Sequence, residues 1–191
     1  MRTIVWDVDD VLNNLNELWF ARWRRKHPDT TLSYADLRRN PPHELLGISF
    51  ETYLESLDEI RASVSAHEDL TPQPEIVAWL NQYGSRYRHF ALTARPPHAA
   101  ASAGAWVLGH FGQWIRSVAF VPPRKPADWP DYDLTKAAYL DWVNLDAVLI
   151  DDSETNILQV KDRGRPAILF PQPWNHGTAS VADVLTQLAE F

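Results

Sequence analysis

The sequence contains no cysteine, so disulfide bonds, thiolate nucleophiles and thiolate zinc sites are excluded. No apolar run approaches the roughly 20 residues that a membrane-spanning helix needs. The first residues become acidic at once, without a basic segment or a cleavage site, so we expect no signal peptide. Together these absences predict a soluble, cytoplasmic protein with no membrane partner.

Positive charge is also scarce. The chain has 18 Lys and Arg residues against 25 Asp and Glu residues, which gives a formal net charge of -7. Proteins that bind duplex DNA usually present a basic face, so this balance argues against a nucleic-acid partner. A small anionic substrate remains compatible with it, because a bound metal ion and one lysine can dominate the local field.

Apolar residues are abundant enough for one sizeable domain. The 191 residues are 45% hydrophobic and 23% charged, a composition that argues against global disorder. The length fits one domain, with room for a small subdomain. We find no internal repeat, low-complexity stretch or linker.

Short apolar strands alternate with helices over most of the chain. Apolar runs predict strands at 2–6, 88–93, 117–121, 147–150 and 167–170. Helical patterns fall near 74–83, 98–110, 134–143, 154–162 and 180–189. This alternation predicts an α/β fold, in which right-handed crossovers build a parallel sheet with helices on both faces.

Residues 14–70 interrupt the alternation directly after the first strand, because this stretch is helical throughout. Its first helix is predicted over 15–26, and its last begins at Ser49. We therefore divide the chain into a core, residues 1–13 and 71–191, and a small helical cap, residues 14–70. The cap is expected to lie over the carboxyl ends of the strands.

Polar side chains follow three of the predicted strands at the point where each strand ends. They are Asp7, Asp9 and Asp10 on the first strand, Thr93 and Arg95 on the second, and Asp151 and Asp152 on the fourth. Ligands of open α/β sheets bind outside the carboxyl ends of the strands. Solvated turns would explain isolated acidic residues, but carboxylates gathered at one rim need a cation, a proton or open water. Because Mg²⁺ binds one or two carboxylates together with phosphate oxygens, the rim predicts a magnesium site.

The same residue types can carry out phosphoryl transfer. A carboxylate such as Asp7 can act as a nucleophile and form an aspartyl-phosphate. Asp9, two residues further on, can protonate the leaving oxygen and then activate water. Thr93 can donate its hydroxyl to a phosphoryl oxygen, and a lysine would complete the neutralisation of charge. Asp10 receives no chemical role, because we expect it to accept backbone hydrogen bonds in the turn.

The segments DVDDVL, LTAR and LIDDSETN, with a lysine between the last two, resemble the four motifs of the haloacid dehalogenase-like (HAD) phosphohydrolases. The resemblance covers the whole core. It implies a Rossmann-like fold, phosphatase activity as a hydrolase, and Mg²⁺ as the cofactor. It implies that Asp7 is the nucleophile and a metal ligand, and that Asp9 is the acid/base and binds the metal through its backbone carbonyl. It further implies that the hydroxyl of Thr93 binds phosphate and that Asp152 is a metal ligand. Asp151 and Asn156 would be supporting residues.

Two positions in this pattern have alternatives. The motif lysine is either Lys136, at a predicted helix start, or Lys125 in the segment PPRKP. We favour Lys136, because the start of a helix is a rigid platform near the rim. Arg95 either contacts a substrate phosphate or nucleotide, or pairs with an acidic neighbour.

The position of the cap and the segments DVDDVL, LTARP and ILFPQPWN are similar to the 5'(3')-deoxyribonucleotidase branch of that family. Relatives in this branch commonly have a Pro-aromatic-Asn turn after a late strand, which Pro173, Trp174 and Asn175 match. The resemblance implies a 5'-nucleotidase acting on (deoxy)ribonucleotides or on a similar small phosphate ester. The chain departs from the branch at Asn13 and Asn14, where an Ala-Asp-like pair is usual.

Aromatic residues of the cap offer a platform on which a base could stack. Trp19 and Trp23 lie at helical spacing within it, and stacking one base is worth about 1–3 kcal/mol. Aromatic residues at this spacing also commonly form the small core of a helical subdomain. Both interpretations of the two tryptophans stay open at the level of sequence.

Two other functions compete with a nucleotidase. LTAR and DLTK resemble segments of polynucleotide 3'-end phosphatases, although the net acidity of the chain argues against a polynucleotide substrate. The other alternative is a non-enzymatic binding module on a degenerate fold. Loss of Asp7, Asp9 or Asp152 would mark such a module, and all three are present.

Overall fold

The computed structural model describes residues 1–63, 69–122, 127–130, 132 and 134–191. Its strands are β1 Thr3–Trp6, β2 Arg88–Thr93, β3 Ile115–Phe120, β4 Ala147–Asp151 and β5 Ala167–Leu169. They form one parallel sheet in the order β3-β2-β1-β4-β5. The predicted parallel α/β architecture is therefore confirmed.

Helices cover both faces of this sheet and build the cap. They are α1 Leu15–Lys26, α2 His43–Leu46 and α3 Phe50–Ala62 in the cap, then α4 Pro74–Tyr83, α5 Ala100–Phe111, α6 Lys136–Trp142, α7 Glu154–Lys161 and α8 Val181–Glu190 in the core. Within the described part of the chain, none of the helices is both long enough and apolar enough to cross a membrane.

Side chains of successive strand residues enter two separate cores. Ile4 and Trp6 of β1 pack on the side of α4, α5 and α8, whereas Val5 packs on the side of α6 and α7. A central parallel strand is covered on both faces and therefore needs apolar residues at every position. This explains why Ile4, Val5 and Trp6 are all apolar and fully buried.

The register of β1 and β4 brings the ends of these strands to one rim. Trp6 lies opposite Ile150 in the parallel pair, so the residues that follow them, Asp7 and Asp151, emerge side by side. Asp7 is still held to the sheet, because its backbone N–H donates to the carbonyl of Ile150 at 2.9 Å. The acidic residues of two distant segments thus meet at the carboxyl edge of the sheet.

The cap packs on the core through the same apolar cluster that covers one face of the sheet. Leu15 and Trp19 of α1 and Leu57 of α3 are buried in it. The chain leaves and re-enters the core side by side, since the backbone N–H of Gln73 donates to the carbonyl of Leu12 at 2.9 Å. The cap is thereby anchored at both of its ends.

A few element boundaries differ from the predictions by one or two residues. Strand β3 begins at Ile115 rather than at residue 117. Helix α6 begins at Lys136 rather than at residue 134, because the Oγ1 of Thr135 accepts a hydrogen bond from the backbone N–H of Ala138 and caps the helix there. These shifts leave the positions of the strand ends at the rim unchanged.

Candidate active site

A tight turn after β1 carries three acidic residues. The backbone N–H of Asn13 donates to the carbonyl of Val8 at 3.1 Å and closes this turn. Asp10 has a φ of 62°, a left-handed conformation that Asp and Asn adopt more readily than most residues. The turn keeps Asp7, Asp9 and Asp10 close together at the rim, where all three are buried.

Lys136 links the ends of β1 and β4. Its Nζ donates to Asp7 Oδ1 at 2.7 Å and to Asp151 Oδ2 at 2.6 Å, and its side chain is 2% exposed. Asp151 also accepts hydrogen bonds from the backbone N–H of Ser153 at 2.9 Å and from Asn156 Nδ2 at 3.0 and 3.1 Å. Burial alone would lower the pKa of Lys136, but the two carboxylates outweigh burial and hold it above its ordinary value. The lysine therefore stays charged beside Asp7.

The structure places Lys136 where the sequence pattern predicts the motif lysine. It is the first residue of α6, just after Thr135, whose hydroxyl accepts a hydrogen bond from the helix's N-terminal turn. The competing residue, Lys125, lies outside the residues that the structure describes. The choice between the two lysines therefore stays a prediction.

Asp7 and Asp152 offer oxygen atoms that suit a divalent cation. Carboxylate oxygens of Asp7, Asp151 and Asp152 lie within 4.8 Å of one another. Oδ1 of Asp7 accepts hydrogen bonds from Lys136 and from the backbone N–H of Val8. Oδ2 of Asp152 accepts one from Trp174 Nε1 at 2.9 Å. Among the described residues, Asp7 Oδ2 and Asp152 Oδ1 have no protein donor, whereas both oxygens of Asp151 are engaged.

Repulsion among these carboxylates creates a need for positive charge. Burial raises the pKa of Asp7 despite the opposing charge of Lys136. Burial also raises the pKa of Asp152, and the charges of Asp151 and Asp7 add to the rise. A hard cation with oxygen ligands relieves both effects. The donor set therefore fits Mg²⁺, with Asp7 and Asp152 as the side chains that would hold it.

Asp9 forms a close ion pair with Arg95. Arg95 Nε lies 3.1 and 3.0 Å from the two oxygens of Asp9, and its Nη2 donates to Oδ1 at 2.6 Å. Arg61, in the last turn of α3, places its Nε 3.4 Å from Oδ2 of the same carboxylate. Burial alone would raise the pKa of Asp9, but the two arginines hold it well below its usual range. Arg95 thus pairs with an acidic neighbour, the second of the two alternatives considered from sequence.

Asp10 holds the turn together. Its Oδ1 accepts a hydrogen bond from the backbone N–H of Asn16 at 2.8 Å, and its Oδ2 accepts one from the side chain of Asn16 at 2.6 Å. Gln172, in the loop after β5, donates from Nε2 to the carbonyl of Asp10 at 2.5 Å. These contacts tie the turn to α1 and to the far side of the sheet, which agrees with the expected hydrogen-bonding role.

A cavity of about 110 Å³ lies among these groups. Its lining combines core residues with residues of the cap. The core contributes Asp7, Asp9, Asp10, Thr93, Ala94 and Asp152, and the cap contributes Asn16, Asn40, Tyr53 and Arg61. The structure thus brings the predicted nucleophile, acid/base, hydroxyl and metal ligand to one small space.

Trp19 and Trp23 belong to a different part of the cap. Trp19 is 2% exposed, meets the ring of Tyr53 edge-on at 4.9 Å between centroids, and donates from Nε1 to Ser56 Oγ at 2.8 Å. Trp23 stacks on His27 with centroids 4.3 Å apart. Both tryptophans line a separate groove on the cap. Neither is among the described residues that line the cavity at Asp7.

The Pro-aromatic-Asn turn forms one side of the site. Trp174 donates to the carboxylate of Asp152 as described above, and Asn175 Nδ2 donates to the backbone carbonyl of Asp152 at 2.9 Å. Tyr34 of the cap meets the ring of Trp174 edge-on, with centroids 6.0 Å apart. The turn therefore positions Asp152 and also touches the cap.

Sequence reasoning did not identify Arg61 or Asn40 as residues of the site. Tyr53, Leu57 and Arg61 recur every four residues, so they share one face of α3. Because Leu57 is buried, Tyr53 and Arg61 on the same helix face could have indicated that polar side chains of the cap point toward the core. Asn40 lies in a loop, where no periodic signal exists.

Neither a family model nor a curated protein matches this chain, whereas solved structures do. A haloacid dehalogenase-like hydrolase from Streptococcus pneumoniae matches with a TM-score of 0.61 and 14% identity, over 97% of this chain and 90% of that one. A proposed phosphoglycolate phosphatase from Lactobacillus delbrueckii matches with a TM-score of 0.60 and 12% identity, over 99% and 97%. A mutant of CbbY from Rhodobacter sphaeroides, solved in complex with xylulose-1,5-bisphosphate, matches with a TM-score of 0.53 and 15% identity, over 95% and 91%. At these identities the comparisons establish a shared Rossmann-like fold.

Proposed function

We propose that the chain is a Mg²⁺-dependent HAD-type phosphomonoesterase that works through an aspartyl-phosphate intermediate. One observation carries the proposal: Asp7, 2.7 Å from Lys136, shares a small cavity with Thr93 and Asp152 at the carboxyl edge of the sheet. The fold shared with a haloacid dehalogenase-like hydrolase and with a proposed phosphoglycolate phosphatase supports it.

In the first step, the carboxylate of Asp7 attacks the phosphorus of the ester. The new bond between Asp7 and phosphorus forms as the bond to the ester oxygen breaks, and the alcohol leaves. Lys136 favours the ionised form of Asp7 against the effect of burial and orients its carboxylate, while the hydroxyl of Thr93 donates to a phosphoryl oxygen. Mg²⁺ bound by Asp7 and Asp152 would neutralise charge on the phosphoryl group.

In the second step, water hydrolyses the aspartyl-phosphate and releases inorganic phosphate. Asp9 is the base in this step, because its contacts with Arg95 and Arg61 favour the ionised carboxylate that accepts a proton from water. The first step needs a proton on Asp9 for the leaving oxygen. The ion pair opposes that form, so our proposal includes a loosening of these contacts when the substrate binds.

The substrate class in this proposal is a small phosphate ester. Within this class, the sequence resemblance to nucleotidases favours (deoxy)ribonucleotides. Trp174 and Asn175, which belong to the turn that contributes to this resemblance, lie beside Asp152. The fold neighbours named as a phosphoglycolate phosphatase and as a complex with a sugar bisphosphate favour smaller esters. Both substrate groups belong in one test.

That test measures phosphate release from nucleoside monophosphates, sugar phosphates, 2-phosphoglycolate and a 3'-phosphorylated oligonucleotide. We expect turnover that requires Mg²⁺, stops in excess chelator and falls at least about a thousandfold in Asp7→Asn. The matched control is Asp141→Asn, which changes an exposed carboxylate outside the cavity and should retain turnover. Activity that survives in Asp7→Asn or in excess chelator would refute the mechanism.

A further inference from the structure

A separate cavity lies at the amino ends of β2 and β3, on the edge of the sheet opposite to the catalytic rim. Its volume is about 440 Å³, within the roughly 300–1,000 Å³ of pockets that hold small ligands. Strand β2 has six residues and places this edge roughly 17 Å from Thr93. The lining comes from the two strand starts and the segments that lead into them: Gly84, Ser85, Tyr87, Arg88, His89, Gln113, Trp114 and Arg116. None of these residues borders the catalytic cavity.

Two exposed arginines bring positive charge to this cavity. Arg88 is the first residue of β2, and Arg116 is the second residue of β3. The two strand starts lie side by side, because His89 is paired with Ile115 in the parallel sheet. Within the residues that the structure describes, neither arginine has an ion pair or a side-chain hydrogen bond with the protein. Both guanidinium groups are therefore available to a ligand.

Further side chains of the lining can donate hydrogen bonds. Ser85 has a hydroxyl, Gln113 an amide and Trp114 an indole N–H, and none of the three has a side-chain partner in the described part of the protein. Both ring nitrogens of His89 are already engaged. The described lining residues include no carboxylate. In a chain with a net charge of -7, a cavity with two arginines and no acidic residue favours an anion.

Aromatic side chains give the same cavity an apolar wall. Trp114 lies against Gly84, where an added Cβ would come within 2.8 Å of the indole Cδ1, so glycine at this position leaves room for the ring. Tyr87 is held in place because its hydroxyl donates to the carbonyl of Ala189 at 3.0 Å. The volume of about 440 Å³ leaves space for an organic portion beside an anionic group. Aromatic surface next to that space suits a planar ring.

We propose that this cavity binds a phosphate monoester whose organic part carries a planar ring. Arg88 and Arg116 pair with the phosphate, because two guanidinium groups balance an anion that carries close to two negative charges. Its three terminal oxygens can also accept hydrogen bonds from Ser85 and Gln113, whereas a carboxylate offers only two oxygens. The ring lies against Trp114. This site is distinct from the catalytic cavity, and the proposal does not depend on phosphatase activity.

The test measures the binding of AMP, ribose 5-phosphate and adenosine to the full chain by calorimetric titration. Excess chelator is present, so that the carboxylates at the opposite rim repel phosphate, and a pH of about 7.5 keeps the phosphate mostly dianionic. We expect AMP to bind most tightly. Ribose 5-phosphate lacks the aromatic ring and should bind about tenfold more weakly. Adenosine lacks the phosphate and should bind at least about tenfold more weakly than AMP.

Arg88→Gln and Arg116→Gln should each weaken AMP binding about ten- to a hundredfold, as hydrogen bonds between charged groups allow. Both side chains are exposed, so these substitutions should leave the fold intact. Arg86→Gln is the matched control, because Arg86 is an exposed arginine on the same edge whose guanidinium lies over the ring of Tyr83 and does not line the cavity. At an ionic strength of about 0.15 M, charges without direct contact are largely screened. The affinity of this control for AMP should therefore stay close to that of the wild type.

Four results would overturn the proposal. AMP that does not bind at millimolar concentration rules out the site, and adenosine that binds as tightly as AMP rules out phosphate recognition. Unchanged AMP binding in both Arg88→Gln and Arg116→Gln would place the ligand elsewhere. An equal loss in Arg86→Gln would show a general attraction of anions to this edge instead of a defined site. Equal affinities for AMP and ribose 5-phosphate would remove the ring, and with it the role of Trp114.

Discussion

The three carboxylates of the turn after β1 have different properties because each has different partners. Asp7 faces a lysine, Asp9 faces two arginines, and Asp10 accepts hydrogen bonds from Asn16. The sequence predicts where these carboxylates lie, because strand ends determine their position. It cannot predict the partner of Asp9, because Arg95 is 86 residues away along the chain and the pairing depends on side-chain geometry at the rim.

Asp152→Asn should separate metal binding from folding. The substitution removes one charge from a repelling group, and the amide oxygen can still accept the hydrogen bond from Trp174, so stability without Mg²⁺ should stay equal or rise. Mg²⁺ at about a hundred times its Kd should raise the Tm of the wild type by about 5–10 °C. The variant should show much less of this shift, as measured by calorimetry with and without Mg²⁺.

Asp141→Asn serves as the control for this measurement. Asp141 is an exposed carboxylate that accepts a hydrogen bond from Arg165 Nε at 2.9 Å, far along the chain from the turn after β1. Its substitution should leave the Mg²⁺-dependent shift in Tm unchanged. An equal shift in Asp152→Asn and in the wild type would argue against Asp152 as a metal ligand.

Among the elements, the strands were the most predictable. Buried parallel strands need continuous apolar runs, and each of the five runs became a strand. One small element of the cap was not predictable to the same degree. The short helix His43–Leu46 contains too few residues for a periodic signal, so packing against its neighbours decides its conformation.

Strand β2 carries a buried histidine that should make folding sensitive to acid. Trp6 donates from Nε1 to His89 Nδ1 at 3.1 Å, and His89 Nε2 lies 2.8 Å from the carbonyl of Gly84. This pattern requires a neutral ring with its proton on Nε2. Burial lowers the pKa of His89 below its ordinary value of 6.5, although the hydrogen bond to Gly84 opposes the shift.

The sign of the resulting pH dependence follows from the direction of this shift. Below pH 6.5, His89 is protonated in the unfolded chain, whereas the folded chain favours its neutral form. The contribution of neutral His89 to the free energy of unfolding is therefore complete above pH 6.5. It is then lost as the pH falls toward the folded pKa. Between pH 7.5 and 5, the free energy of unfolding should fall more steeply in the wild type than in His89→Gln, by at most about 1.4 kcal/mol per pH unit. Equal slopes in denaturant titrations would refute this role.

For the whole molecule, polar contacts at the site join the cap to the core. Arg61 approaches Asp9 on one side, and on the other side Tyr34 donates from its hydroxyl to Gln172 Oε1 at 3.2 Å. The position of the insertion could be predicted, because it interrupts the alternation of strands and helices. The cap residues that face the site could not, because the orientation of the cap is set by packing across the whole apolar cluster.

Tyr34→Phe removes one hydrogen bond between cap and core but keeps the ring. We expect substrate to enter when the cap opens, and the contact with Gln172 joins the cap to the core in this structure, so its loss should favour an open form. A hydrogen bond contributes about 0.5–1.5 kcal/mol, so kcat/KM should fall about two- to tenfold. Tyr87→Phe is the matched control, because this hydroxyl donates to the carbonyl of Ala189 at 3.0 Å within the core. The control should lose stability without a change in kcat/KM, and equal kinetic effects of the two substitutions would show that Tyr34 does not hold the cap closed.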